Sequence, residues 1–186
     1  MFQRRWQLSA YFHIRARETV SALEAVLAAQ TPETLVADDR GFAHPAFTHL
    51  LRAFAAPWLA TNHLDALSAR EWRLSLQVLS RYRTWLQARS SSLEAATSST
   101  GDADGAEDRP VDWDALHAFV HLVADAAHFE ERVCVVFDTL IAPKVLQTRP
   151  GEHAEAERLR TVLHEALQSS LGMAGALREG GAQQVG

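Results

Sequence analysis

The sequence predicts an all-α fold, an antiparallel bundle of five or six helices with one long flexible loop. Apolar residues recur at spacings of three and four along most of the chain, and no stretch keeps a two-residue alternation. Apart from one polar segment, the breaks between periodic runs are short, which makes neighbouring helices antiparallel. At 186 residues, with 47% hydrophobic and 22% charged residues, the chain has the size and composition of a single globular domain over 1–186.

In the first run, 9–29, Phe12, Ala16, Val20, Leu23 and Leu27 line one stripe, with Ser9 as the cap. Thr31-Pro32-Glu33 reads as a short second start that Asp38-Asp39-Arg40-Gly41 closes. His44-Pro45 opens a third helix, in which Phe47, Leu50, Leu51 and Phe54 hold helical spacing until Pro57 removes a donor. Trp58 to Leu67 is expected to continue helically beyond that kink. Ser68 and Glu71 have the spacing of a capping box ahead of a helix over 69–89. Its apolar residues, from Trp72 to Leu86, spread over an arc of about 200°, so this helix should touch neighbours on two sides and stand centrally.

Residues 90–110 are rich in serine, threonine, glycine and alanine and carry Asp102, Asp104, Glu107 and Asp108, the composition of a flexible acidic loop. The longest helix follows, with Asp112 as its cap, Val111 stapled to Leu116, and an end at Ala142 because Pro143 comes next. Leu116, Phe119, Val120, Val123 and Ala127 form its expected core-facing stripe. From Val133 to Ile141 it is apolar nearly all round, the expected deepest part of the core. A last helix over 152–177 carries Leu159, Val162, Leu163, Ala166, Leu167 and Ala174 on a stripe.

The chemistry-bearing residues gather on the longest helix. His117, His121 and His128 share one face, with Glu131 beside them, the residue types from which iron or zinc sites are built in helical bundles. On a helical wheel that face stands about 140° from the expected apolar stripe, so the histidines should look outward unless a second protein layer covers them. Glu130 falls close to the middle of that stripe and requires a buried partner: an arginine from a neighbouring helix, or else the role of a general acid or base. The phosphate-loop, nucleophile-elbow, HExxH and paired-cysteine motifs are missing.

The net charge is −5 and the basic residues are scattered, which argues against nucleic acid. Cys134, the single cysteine, stands in an apolar run and implies a reducing, cytoplasmic setting, and no stretch is apolar enough to enter a membrane. The arginine-rich, lysine-poor composition resembles that of GC-rich bacteria. Together these features predict a non-enzymatic protein-interaction module without a cofactor, such as an adapter, a regulator, a secretion chaperone or an immunity-type inhibitor, that binds another protein or itself. The alternative is a metalloprotein holding iron or zinc on the histidine stripe.

Overall fold

A computed structural model describes residues 7–29, 41–98, 113–148 and 154–167. Most of those residues are helical and none lies in a strand: α1 is Leu8–Ala29, α2 Pro45–Ala55, α3 Ser68–Ser98, α4 Trp113–Val136, α5 Ala142–Thr148 and α6 154–167. Among them no helix is long and apolar enough to cross a membrane.

The shortest of the long elements is the most deeply placed. In α2 only four residues escape burial, and it packs against α1, α3 and α4 at once. Pro45 sets the helical φ of its first turn and needs no donor there, while Gly41, at φ +84°, supplies the left-handed bend leading into it. Phe47 is the hub of the aromatic core: Phe42, His44, Tyr82, Trp85 and Phe129 all surround its ring at centroid distances of 5.4–6.1 Å. Tyr82 and Phe129 themselves meet at 4.6 Å, so α2, α3 and α4 are joined through side chains that water does not reach. α3 is the central helix its wide apolar arc predicted, with contacts to α1, α2 and α4.

Several boundaries differ from the pattern in the sequence. After Pro57 the chain does not continue as a helix. It makes a 3-10 turn at Ala56–Trp58, leaves helical geometry, and makes a second 3-10 turn at Asp65–Leu67 before α3. The fully buried Trp58 explains the stop: its indole N–H donates to Ser75 Oγ at 2.9 Å, and that hydroxyl donates to the Phe54 carbonyl at 3.2 Å, which pins the turn to α3. The Ser68–Glu71 capping box does not form. Ser68 Oγ donates to the Asp65 carbonyl, and the Glu71 carboxylate turns to the preceding loop.

α3 runs to Ser98 with Leu93 buried, so 90–98 is helix rather than the start of the flexible loop; the rest of that predicted loop, 99–110, lies outside the described residues. So do the short helix at 31–38, the Val111–Asp112 start and the end of the last helix beyond Leu167.

Pro143 does not end the longest rod. Phe137–Ile141 form a π-helical turn in which the Ala142 N–H bonds to the Phe137 carbonyl five residues back, and α5 follows without a break. The wider turn spares the proline ring its clash with a carbonyl four residues earlier and asks no donor of it. This part of the rod is not buried all round, since Val135 is exposed and Cys134 half-buried, although Val133, Phe137 and Ile141 are as deeply buried as Phe47, Tyr82 and Phe129.

Phe47→Ala should lower the stability of the folded chain by about 3–5 kcal/mol, because the cavity would open where three helices meet. Urea unfolding followed by circular dichroism measures it, and a loss near 1 kcal/mol would show that the neighbouring rings close over the gap.

Candidate functional site

α4 is turned about its axis relative to the sequence expectation. Its buried positions are Ala118, Leu122, Asp125, Ala126, Phe129, Glu130 and Val133, a face about a third of a turn from the stripe of Leu116, Val120 and Val123. That predicted stripe is exposed, apart from the half-buried Phe119. His117 and His121 are exposed as expected, but because they flank the true core face, not because they oppose the larger apolar side chains.

His128 is half-buried, with its ring 5.0 Å from that of Phe42 and its Nδ1 3.8 Å from Glu131 Oε2 one turn on. The four candidate ligands His117, His121, His128 and Glu131 therefore share a helix side without converging on a point. Among the described residues no three His, Cys, Asp or Glu side chains gather as metal ligands.

Glu130 is buried, and the Tyr82 hydroxyl on α3 donates to its Oε1 at 3.2 Å. The buried partner that the sequence required is supplied at least in part by this tyrosine. The tyrosine hydroxyl is a neutral donor to this carboxylate.

The sequence reading missed two histidine–carboxylate pairs. Asp125, 5% exposed, accepts from the backbone N–H of Ala43 at 3.0 Å and of His44 at 2.7 Å, and its Oδ2 stands 2.7 Å from His44 Nδ1. This carboxylate, carried on α4, binds the donors at the entrance to α2. The second pair lies ahead of α3. His63 Nδ1 stands 2.5 Å from Glu71 Oε2, Glu71 Oε1 accepts from Leu64 N–H, and the His63 ring stacks on Trp58 at 5.3 Å.

The order His–Pro and the His63–Glu71 spacing carry no recognised signature, and the Asp125 partner is 81 residues away, so only the fold brings these groups together. In both pairs the second ring nitrogen, Nε2, is buried without a hydrogen bond, although His63 Nε2 has Asp65 Oδ1 3.3 Å away. Neither imidazole is hydrogen-bonded to a hydroxyl or thiol that it could activate, as nucleophilic catalysis requires. Burial raises the Cys134 thiol above its ordinary pKa, with Asp138 and Glu130 adding to the effect, which keeps it protonated and unreactive.

The family described as "COG complex component, COG2, C-terminal" matches residues 4–180, nearly the whole chain and every helix described above. The chain belongs to this family. It is also 35% identical over 92 residues to the human "Conserved oligomeric Golgi complex subunit 2", an alignment covering 46% of this chain and 11% of that protein. The chain thus corresponds to a small part of that much longer relative. No solved structure matches it.

The composition that resembled GC-rich bacteria finds no support in this similarity to a human protein.

Burial is the chief influence on Glu71 and raises its carboxyl above the ordinary 4.5, against the opposing bonds from Leu64 and His63. A carboxyl with a higher pKa in the folded than in the unfolded chain binds its proton more tightly when folded. The folded state therefore gains stability as pH falls through the folded value toward 4.5, and loses that gain as pH rises again. Glu71→Gln should lack this gain, so stability curves for the two proteins, measured by urea unfolding across that interval, should diverge in favour of the natural chain on acidification.

Proposed function

We propose that this chain is a protein-docking unit of an oligomeric complex at the Golgi, acting through its helix surfaces and not by catalysis. The match to the COG2 C-terminal family across residues 4–180 carries this reading. Among adapters, regulators, chaperones and inhibitors, it favours a constituent of a multi-subunit assembly. The aromatic core is closed, and the two buried histidine pairs are spent on holding loops to helices, which leaves the surface to do the work.

The surface offers apolar side chains for that purpose. On α1 Tyr11 and Ile14 are exposed, and Leu59 and Leu64 are exposed on the loop before α3. The hydrogen bond from Arg15 to Asn62 ties that loop to the same helix, so the two sets belong to one side of the molecule. Apolar residues rimmed by polar ones are the ordinary composition of a subunit contact. A place on the cytoplasmic side of the membrane fits the single, unpaired cysteine.

Affinity-tagged full-length chain, expressed in the cells it comes from, should co-purify with the other subunits of an oligomeric Golgi complex. Recovery of the chain alone, at its own mass, would refute the proposal. Ile14→Glu, on a helix face that makes no contribution to the core, should leave thermal unfolding unchanged and reduce the captured subunits by about tenfold, the effect of losing one apolar anchor.

A further inference from the structure

Holding the loop before α3 uses only one nitrogen of the His63 ring. Nδ1 meets Glu71 Oε2 at 2.5 Å, and because an ionised carboxylate only accepts, the ring proton belongs on that side and the lone pair on Nε2. The His63 side chain is 6% exposed, and among the described residues Nε2 has no hydrogen bond. A buried acceptor in that state is costly unless something else takes its lone pair.

What stands beside it is a second Lewis base. Asp65 Oδ1 lies 3.3 Å from Nε2 but out of line for a hydrogen bond, so a proton on Nε2 would meet it poorly. A metal ion fits the same gap. With each ligand about 2.1 Å from a zinc ion, a 3.3 Å separation subtends an angle of about 105°, close to the tetrahedral value. The surroundings have the form that zinc ligands require: the imidazole is oriented through its other nitrogen by a carboxylate, and that carboxylate accepts in turn from Leu64 N–H. The ring is also held flat against Trp58, whose indole is anchored to Ser75.

We propose that His63 Nε2 and Asp65 Oδ1 form a two-ligand site for a divalent zinc-type cation, with Glu71 as the positioning residue behind the histidine. One imidazole with one carboxylate suits zinc better than magnesium or calcium, which take oxygen ligands. No third His, Cys, Asp or Glu among the described residues joins them. Water completes the coordination from the cleft of about 720 Å3 that Asp65 lines with Glu155, between the start of α3 and the helices α5 and α6. The Asp65 side chain is 78% exposed and can swing aside to admit the ion. This inference rests on the loop geometry and not on the docking role.

The full-length chain, purified without a histidine tag, tests it. His117→Gln with His121→Gln serves as background, so that the exposed histidines of α4 do not chelate the probe. Titration with zinc chloride by calorimetry should show one equivalent bound, and magnesium chloride should give no heat. Asp65→Asn, on an exposed side chain that leaves circular dichroism unchanged, should weaken zinc binding at least about tenfold, as should Glu71→Gln through loss of ring orientation. Nitrogen-15 NMR should show zinc shifting the His63 Nε2 resonance while Nδ1 keeps its proton, a signature that a purely structural histidine would not give. Absence of zinc binding would overturn the proposal. So would an affinity that Asp65→Asn leaves unchanged, or a His63 Nε2 resonance that zinc does not move, either of which assigns the metal to other histidines.

Discussion

The arrangement of the bundle depends on one carboxylate. Asp125 reaches from α4 to the entrance of α2 and satisfies two backbone donors and an imidazole there. A helix that begins with proline inside a core has few ways to dispose of the amides that precede it, and unsatisfied ones cost about 1–3 kcal/mol each. By meeting them from a neighbouring helix, Asp125 fixes how α4 is rotated about its own axis. That rotation places Ala118, Leu122, Phe129 and Val133 inward, brings Glu130 to Tyr82, and leaves the histidines and the larger aliphatic stripe outside. The negative charge also stands near the positive end of the α2 dipole, where it is favoured.

The same logic of polar groups serving chain ends recurs before α3. Glu71 has the sequence position of a reciprocal cap, yet its carboxylate goes to Leu64 N–H and His63. The loop after Trp58 is held by that carboxylate at one end and by the Trp58–Ser75–Phe54 hydrogen bonds at the other. Burial opposes the ionised form of Glu71, and the His63 and Leu64 bonds support it, so the group is held in a balance between the two. In this way the chain crosses from α2 to α3 without a continuous helix, through a turn set by buried polar contacts.

Much of the fold was legible because helical spacing is a local signal. α1, the start of α2 at Pro45 and the central place of α3 all follow from apolar residues three and four apart. The orientation of α4 was not legible. Its sequence contains two apolar stripes, and the one with the bulkier residues, Leu116, Val120 and Val123, carries no charge. The true core face includes Asp125 and Glu130, whose polarity argues for solvent until the donors on His44 and Tyr82 are known, 81 and 48 residues away in sequence. The end of the rod was misread for a related reason: proline is a reliable stop in an α-helix, and only the π turn at Phe137–Ile141 makes room for Pro143. The helical start expected from Ser68 and Glu71 was found, but its capping partners were not, because a glutamate can serve the loop before it as well as its own helix.

The buried histidine–carboxylate pairs carry a wider lesson for reading such a domain. A histidine oriented by a carboxylate is half of a catalytic relay, and two of them in a small protein invite that interpretation. What decides against it is the other ring nitrogen. In both pairs Nε2 faces neither a nucleophile nor an acceptor with hydrogen-bond alignment, while Nδ1 is engaged with the carboxylate and the carboxylate accepts from backbone N–H groups. The exposed histidines of α4 fail the complementary test, since they have access to solvent but no converging partners among the described residues. Buried polar groups here organise the chain, and exposed ones are separate from them. In the proposed docking role, recognition falls to outward helix faces, where apolar residues such as Ile14 are exposed.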